Sequence, residues 1–315
     1  MTDNPFGLDQ QIRDFIDESV RHFPEDAAFL DARGQRLVYN RLCEAFAPPL
    51  PASVRFHDDT IAAAHDVSIP IRRYHTDGGV SDALVLYMHG GGFVVGGLDS
   101  HHAICAEFCA EAGCDVIAID YRLAPEFRHP AQIEDCLAVY RRFRPDYARM
   151  IVAGDSAGGN LSAALCAATR GSDEAPEGAV LIYPALGGDL KDLPSYRTMA
   201  HAPQLTAADV EAYQALWHGG PKPEDDVLAA PLLAFSFVDH PPTAIFSAEI
   251  DPLCDDGEAY AVQLRSAGVD VRFYREEGLI HGYLRARMMS DRAAASFSRI
   301  AAAISALART GGLPA

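Results

Sequence analysis

Apolar positions along the chain follow two alternating patterns. Short, nearly unbroken apolar runs are typical of strands buried on both faces of a parallel sheet, and apolar residues at every third or fourth position indicate helices. The predicted strands are Ala83–Met88, Val116–Ile119, Met150–Ala153, Ala179–Tyr183, Thr243–Ala248 and Val269–Arg275. The predicted helices are Ser100–Ala112, Ile133–Phe143, Leu161–Ala168, Glu258–Ala267 and Ala293–Leu307. This alternation predicts an α/β fold with a mainly parallel central sheet flanked by helices.

The N-terminal part of the chain follows a helical pattern before any strand begins. One amphipathic helix is predicted from apolar residues at roughly helical spacing, which are Leu8, Ile12, Phe15, Val20 and Phe23. A second helix is predicted over Gln35–Phe46, before the chain-breaking run Pro48–Pro51. Two antiparallel strands, Val54–Thr60 and Val67–Thr76, and a turn at Asp77–Gly79 then lead into the sheet.

The segment Gly187–Pro223 interrupts the alternation of strands and helices. It is rich in turns and contains one predicted helix, Ala207–Trp217, so we interpret it as an insertion. The predicted organisation is a pair of N-terminal cap helices in residues 1–50, a main α/β domain in residues 51–186 and 224–315, and a second cap segment in residues 187–223. The alternative is that these helices only pack on the main core.

Composition narrows the class of partners and the compartment. The 315-residue chain has a formal net charge of -18, which argues against binding to nucleic acid or to anionic membrane surfaces. Its seven cysteines include no Cys-x-x-Cys pair, which predicts buried thiols in a reducing compartment and neither a zinc site nor a disulfide framework. No basic start precedes an apolar run, and no apolar run approaches membrane-spanning length, so we expect a soluble cytoplasmic protein.

The sequence Gly154-Asp155-Ser156-Ala157-Gly158 lies at the junction of a predicted strand and a predicted helix. A Gly-x-Ser-x-Gly pattern in this context forms a sharp turn that exposes the serine hydroxyl above the sheet, and the flanking glycines leave room for the strained backbone. The N–H group of Ala157, at the start of the helix, points to the same spot. An incidental serine in a glycine-rich turn would give the same pattern, so the assignment of Ser156 as a nucleophile depends on further residues.

A serine nucleophile needs an adjacent base, and that base needs an orienting acid. His281 follows the last predicted strand and Asp251 follows the preceding strand, so both are expected at the carboxyl edge of the sheet with Ser156. The order Ser156, Asp251, His281 is that of α/β-hydrolases. Glu249, Asp255 and Asp256 compete with Asp251 for this role. Asp255 is expected instead to cap the helix that begins near Asp256, whereas Glu249 is not excluded by the local sequence.

The glycine run His89–Gly92 follows the predicted strand Ala83–Met88 directly. Acyl transfer needs hydrogen-bond donors where the carbonyl oxygen becomes an oxyanion, and only backbone N–H groups without side chains around them approach closely enough. Lipases and esterases carry a loop of this type at the same place in the fold. A flexible glycine loop is the alternative interpretation.

Together these motifs resemble those of the hormone-sensitive-lipase-like family of α/β-hydrolases, the bacterial esterases with a Gly-Asp-Ser-Ala-Gly motif. The segments that carry the resemblance are His89–Phe93, Asp120–Glu126, Gly154–Asn160, Glu249–Asp255 and His281–Tyr283. Two departures are Tyr283, where the family usually has phenylalanine, and the atypical run Phe127–Pro130. The second departure affects the expected local loop shape rather than the chemistry.

The resemblance implies a fold, a cap and a set of roles. It implies an α/β-hydrolase fold with a helical cap, Ser156 as nucleophile, His281 as base and Asp251 as orienting acid. The N–H groups of Gly91, Gly92 and Ala157 would form the oxyanion hole. We expect Arg122, Asp155 and Asn160 to be structural and not to touch substrate.

The expected activity is that of a serine carboxylesterase on small, apolar, short-to-medium acyl esters, with neither a metal nor an organic cofactor. An amidase or deacetylase with the same three residues is the alternative among enzymes, because such a site does not by itself distinguish an ester from an amide. A receptor of the same fold is the alternative among binding proteins. The plant gibberellin receptors resemble this family but lack the catalytic histidine, whereas His281 is present here. A homodimer is possible, since dimers are common in such families.

Overall fold

The computed structural model describes residues 4–23, 30–78, 81–187, 193–223 and 225–314. Within these ranges eight strands form one sheet in the order β1-β2-β4-β3-β5-β6-β7-β8. They are β1 Val54–Ala62, β2 Ser68–Thr76, β3 Ala83–Met88, β4 Asp115–Ile119, β5 Arg149–Asp155, β6 Gly178–Ile182, β7 Thr243–Ile250 and β8 Val271–Ile280. Strand β2 pairs antiparallel with both β1 and β4, and the strands from β3 to β8 pair in parallel. The predicted mainly parallel sheet is confirmed.

Helices cover both faces of the sheet. They are α1 Gln10–His22, α2 Ala32–Ala45, α3 His102–Ala112, α4 Ala131–Phe143, α5 Ala157–Thr169, α6 Ser195–Thr198, α7 Ala207–His218, α8 Cys254–Ser266 and α9 Asp291–Thr310. The packing of β3 explains why its sequence is apolar throughout. Val85 and Tyr87 pack with α3 and α9 on one face of the sheet. Leu84 and Leu86 pack with α4, α5 and α8 on the other face. Every residue of β3 is therefore in a core, and the unbroken apolar run is a direct consequence.

Helix α1 buries a different stripe from the one predicted. Ile12, Phe15 and Ser19 are buried, whereas Val20 is 61% exposed and Phe23 is 40% exposed. A helix returns to the same face after three or four residues, so position 19 and not position 20 continues the stripe from Phe15. Ser19 is tolerated there because its hydroxyl donates to the Phe15 carbonyl at 2.8 Å. The prediction that Val20 and Phe23 belong to the apolar stripe was wrong, because it rested on their apolar character and not on their spacing from Phe15.

Strand β8 also differs from its prediction, since it ends at Ile280 and not at Arg275. Its second half contains two glutamates and a glycine, which hide the strand pattern in the sequence. Glu276 nevertheless pairs with Ala248 of β7 in the register, and its buried carboxylate is bonded to Arg299 of α9. A charge that is paired with an opposite charge can occupy a buried strand position at which sequence alone predicts a loop.

The segment between β6 and β7 contains α6 and α7, and α7 is close to its predicted extent. A capping box fixes its start, because Thr206 and Asp209 satisfy each other's backbone N–H groups. Residues 188–192 lie outside the described residues, so the start of the predicted insertion is only partly covered. The predicted turn at Asp77–Gly79 is also only partly covered, because Gly79 lies outside the described residues.

Candidate active site

Ser156 lies between the end of β5 and the start of α5, with φ 54° and ψ -115°. This strained backbone lies in a turn where neighbouring segments of the backbone come very close together. A Cβ on Gly158 would collide with the Met88 carbonyl, and one on Gly154 would collide with the Gly158 carbonyl. The two glycines are therefore required by space, and the turn presents Ser156 at the carboxyl edge of the sheet.

Three side chains form a continuous hydrogen-bonded chain at this edge. Ser156 Oγ is 3.0 Å from His281 Nε2, and His281 Nδ1 is 2.6 Å from Asp251 Oδ2. All three side chains are buried. A carboxylate can only accept, so Nδ1 carries the proton toward Asp251 and Nε2 of the neutral ring accepts from the serine hydroxyl. This arrangement allows the imidazole to take the proton of Ser156.

The sheet brings these residues together from distant parts of the sequence. Asp251 directly follows β7, and His281 directly follows β8. The second oxygen of Asp251 accepts the N–H of Leu253 at 2.9 Å, which fixes the carboxylate. Parallel neighbours end at the same edge, so the two loops open beside the turn that carries Ser156.

Two of the rival acids lie elsewhere. Glu249 Oε2 accepts the backbone N–H of Gly278 at 2.8 Å and has no hydrogen bond with His281 among the described residues. Asp255 does not cap α8, because that helix begins at Cys254 and its cap position is Leu253. The carboxylate of Asp255 accepts the N–H of Ser195 at 2.8 Å instead. That prediction failed because the helix starts two residues earlier than the sequence suggested.

The glycine run forms a loop beside Ser156. Gly91 and Gly92 have φ of 120° and 60°, which side-chain-bearing residues rarely adopt. A Cβ on Gly92 would lie 2.5 Å from the Tyr213 ring. In the part of the chain that the structure describes, the N–H groups of Gly91, Gly92 and Ala157 donate to no other group. Free backbone donors beside a serine hydroxyl are what a developing oxyanion needs.

Comparison with known proteins identifies the family. Residues 85–285 match a family described by its alpha/beta hydrolase fold. The chain belongs to the α/β-hydrolases. It is 36% identical over 290 residues to the carboxylesterase NlhH of Mycobacterium tuberculosis, covering 88% of this chain and 90% of that protein. It is 35% identical over 230 residues to an ethyl acetate hydrolase of Pseudomonas putida, covering 69% and 72% of the two chains.

A solved structure places this α/β-hydrolase in a narrower group. An esterase from the bacterial hormone-sensitive lipase family superposes with a TM-score of 0.83 at 27% identity, covering 97% of this chain and 99% of that chain. The predicted membership of the hormone-sensitive-lipase-like family is confirmed, as is the predicted fold class.

Asp155 ties the hydrolase's glycine loop to the turn at Ser156. Its carboxylate accepts the N–H of Gly90 at 3.0 Å and the hydroxyl of Tyr87 at 2.8 Å, and it lies 3.2 Å from His101 Nε2. Burial alone would raise the pKa of Asp155, but His101 and these hydrogen bonds together hold it well below its usual range. The expectation that Asp155 braces the turn agrees with these contacts.

Sequence reasoning missed the part that His101 plays in this network. Two adjacent histidines at the beginning of the predicted helix Ser100–Ala112 suggested only a helix start, and His101 is indeed the cap residue of α3. Its ring is buried, however, and it bonds Ser100 as well as Asp155. No local signal distinguishes it from His102, because its partner is more than fifty positions away in the sequence.

The other residues that were expected to be structural also make bracing contacts. Arg122 binds the Asp135 carboxylate of α4 and the Ala131 carbonyl, so it anchors the loop after β4. Asn160 donates from Nδ2 to the carbonyls of Ala185 and Ala229 at 2.7 and 3.1 Å. Asn160 differs from the expectation in one respect, because it also lines a cavity beside Ser156.

That cavity has a volume of about 40 Å³ and is bounded mainly by apolar residues. Ser156, Ala157 and Gly92 lie on its wall. Helix α7 forms the opposite side with residues that include Tyr213 and Trp217. Trp217 is held by stacking on Phe93, with ring centroids 3.6 Å apart, and by its hydrogen bond to Gln132 at 3.0 Å. Described residues of α1 are absent from this wall.

The described parts of the hydrolase contain no cluster of metal-binding side chains and no helix suited to span a membrane. There, no group of three or more histidine, cysteine, aspartate or glutamate side chains is arranged to hold a metal ion. Each of the seven cysteines is a free, buried thiol, as the sequence predicted. No helix among the described residues is long and apolar enough to cross a membrane.

Proposed function

We propose that this protein is a serine carboxylesterase in which Ser156 is the nucleophile, His281 the base and Asp251 the orienting acid. The observation that carries the proposal is the hydrogen-bonded chain from Ser156 through His281 to Asp251, with separations of 3.0 and 2.6 Å. The similarity to the carboxylesterase NlhH of M. tuberculosis and to the ethyl acetate hydrolase of P. putida supports an ester as the substrate.

Acylation follows from this geometry. Ser156 Oγ forms a bond to the ester carbonyl carbon as its proton passes to His281 Nε2, and the carbonyl oxygen takes up the negative charge. The oxyanion hole of Gly91, Gly92 and Ala157 stabilises that charge, because its N–H groups have no other acceptor among the described residues. Asp251 holds the imidazole in the required tautomer and stabilises the imidazolium that forms.

Acylation ends when the proton on His281 Nε2 passes to the leaving alcohol as the carbon–oxygen bond breaks, which leaves an acyl group on Ser156. Deacylation repeats these steps with water. Water then attacks the acyl carbon while His281 takes its proton, and return of that proton to Ser156 Oγ releases the acid. Ser156 and His281 are the protein groups that gain or lose a proton in this sequence.

Small, apolar, short-to-medium acyl esters are the proposed substrate class. The cavity beside Ser156 is small, with a volume of about 40 Å³. Its apolar wall favours hydrocarbon over charge. The side chains of α7 limit its length, so a long acyl chain would require α7 to move.

The proposed organisation follows the sequence prediction, with residues 1–50 and 187–223 as a cap on the α/β domain. Helix α7 supports this because it lies across the cavity from Ser156. Helix α2 supports it because Arg36 donates to the carbonyls of Val94 and Ala124, at 2.8 and 2.9 Å, beside the glycine loop. The cytoplasmic location, the absence of nucleic-acid partners and the homodimer stay predictions.

The amidase alternative uses the same three residues and is tested by the same assay. The initial rate on p-nitrophenyl butyrate should exceed the rate on the matched p-nitroanilide by far more than their intrinsic reactivities differ. Equal or inverted normalised rates would make the protein an amidase. Failure to hydrolyse either compound would contradict the proposed function and favour the receptor alternative.

A further inference from the structure

One carboxylate oxygen fastens the glycine loop at both of its ends. Asp155 Oδ1 accepts the backbone N–H of Gly90 at 3.0 Å, and it lies 3.2 Å from His101 Nε2. A carboxylate can only accept, so Nε2 carries a proton that is directed at Asp155. The segment of residues 90–101 contains two of the proposed oxyanion-hole donors. Both ends of this segment are therefore tied to the residue that directly precedes the nucleophile.

The Asp155 carboxylate depends on the groups around it because it is buried. It is 3% exposed, and burial alone would raise its pKa, whereas the nearby His101 is the strongest influence that lowers it. Among the described residues, His101 is the only basic side chain that contacts this carboxylate. Without His101 the carboxyl group would more readily take up a proton. An uncharged carboxyl group accepts the N–H of Gly90 more weakly than a carboxylate does.

The ring of His101 is itself held in one orientation. It is 2% exposed, and its Nδ1 lies 2.8 Å from Ser100 Oγ. Ser100 Oγ in turn accepts the N–H of Gly97 at 3.0 Å, within the same segment. Turning the ring away from Asp155 would break two hydrogen bonds in a buried site, which is costly.

We propose that His101 is a positioning residue for ester hydrolysis, which keeps the Asp155 carboxylate charged and so holds the glycine loop in the geometry that stabilises the oxyanion. This proposal rests on the proposed function. The donors of an oxyanion hole act on the transition state more than on the bound ester. Loss of His101 should therefore lower kcat with little effect on KM, whereas a residue that only supports the fold would lower the melting temperature without this separation.

Two substitutions distinguish the hydrogen bond to Asp155 from the hydrogen bond to Ser100. In His101→Asn the amide nitrogen corresponds to Nδ1 and reaches only Ser100, whereas in His101→Gln it corresponds to Nε2 and can still donate to Asp155. On p-nitrophenyl butyrate, kcat should fall by about tenfold or more in His101→Asn while KM stays within about threefold, because misplaced catalytic groups slow the chemical step. The kcat of His101→Gln should be at least about threefold higher than that of His101→Asn, because the donor to Asp155 is restored.

A trifluoromethyl ketone measures the oxyanion hole directly. Ser156 Oγ adds to the ketone carbon, and the resulting hemiketal oxyanion occupies the place of the transition-state oxyanion. Its inhibition constant should therefore rise in His101→Asn by about the factor by which kcat/KM falls. His102→Asn is the matched control, because the adjacent His102 bonds the hydroxyl of Tyr74 and makes no hydrogen bond to the glycine loop among the described residues. Its kcat, KM and inhibition constant should equal those of the wild type.

Thermal melts establish that each variant is folded before the constants are compared. An unchanged kcat or inhibition constant in folded His101→Asn overturns the proposal, as does a His101→Gln variant that is no faster. If His101→Asn does not fold, Tyr87→Phe decides, because it removes the hydroxyl that donates to the same oxygen of Asp155 at 2.8 Å. A lower kcat in Tyr87→Phe then supports the proposal, and an unchanged kcat overturns it. A wild-type protein that does not hydrolyse p-nitrophenyl butyrate would contradict the proposed function, and this proposal with it.

Discussion

Two acidic side chains lie two residues apart at the end of β7, and the structure gives them different partners. Asp251 contacts His281, whereas Glu249 contacts the backbone of Gly278. Asp251→Asn replaces the acceptor with an amide that can donate to Nδ1, so the imidazole would adopt the wrong tautomer. We expect kcat to fall by about 10⁴-fold, as when the acid of such a site is changed to its amide.

Glu249→Gln is the matched control for this prediction. Its amide oxygen can still accept the N–H of Gly278, so we expect kcat within about tenfold of the wild type. Both variants are assayed on p-nitrophenyl butyrate after their thermal melts have been compared. If Glu249→Gln shows the larger loss, the orienting role passes to Glu249.

At the residue scale, sequence reasoning located the residues that short motifs specify. The strand-turn-helix pattern around Ser156 and the loops that begin with Asp251 and His281 were found because each follows a strand that is recognisable on its own. His101 was not found, because its importance comes from the burial of its ring beside Asp155. Burial of one side chain by distant segments leaves no local pattern in the sequence.

At the element scale, α7 and not α1 bounds the cavity beside Ser156. The predicted cap in residues 1–50 includes α1, but no described residue of α1 lines this cavity. Phe15 is buried against Phe46, with ring centroids 4.9 Å apart. The stripe is explained by this core packing.

Tyr213→Ala tests the role of α7 in chain-length selection. The ring of Tyr213 lies over Gly92 and lines the cavity, so its removal should open room for more methylene groups. We expect the ratio of kcat/KM on p-nitrophenyl octanoate to that on the butyrate to rise by about tenfold or more, since each buried methylene contributes roughly 0.8 kcal/mol.

Phe15→Leu is the control for this change. It should lower the free energy of unfolding by about 1–3 kcal/mol, as core substitutions do, without changing the chain-length ratio. A shifted ratio in folded Phe15→Leu, or an unchanged ratio in folded Tyr213→Ala, would return chain-length selection to α1.

At this scale the predicted elements were accurate where apolar runs were unbroken and inaccurate where charge entered a strand. The bounds of β3 match the prediction, because every one of its residues is in a core. The end of β8 was missed because Glu276 is buried with a partner on α9, which the sequence of the strand does not reveal. The order of the strands in the sheet is likewise a property of packing that periodicity alone does not contain.

At the scale of the whole molecule, buried neutral histidines make stability depend on pH. Burial lowers the pKa of His240 to about 4, from about 6.5 in an unfolded chain. Between these values the unfolded chain binds a proton that the folded protein does not, so acidification favours unfolding. The stabilising effect of keeping His240 neutral is complete above pH 6.5 and is lost as the pH falls toward 4.

His240→Phe isolates this contribution, since the other titrating groups cancel in the comparison with the wild type. When the pH falls from 7.5 to 5, the free energy of unfolding of the variant should rise relative to that of the wild type by about 2 kcal/mol. The reason is that one pH unit corresponds to about 1.4 kcal/mol for each proton. Guanidinium unfolding at the two pH values measures the difference. An identical difference at both pH values would show that His240 does not resist protonation in the folded protein.

The central claim is that Ser156 becomes acylated, and a phosphonate tests it most directly. A p-nitrophenyl alkylphosphonate should lose p-nitrophenolate as Ser156 Oγ bonds to phosphorus. Mass spectrometry of the intact protein should then show one phosphonyl group per chain, located on the peptide that contains Ser156, with activity lost in proportion. Ser156→Ala should gain no mass and retain less than a few per cent of the wild-type rate, a loss of at least about 10³-fold being typical. A label on another residue, equal labelling of Ser156→Ala, or persistent esterase activity in that variant would contradict the account.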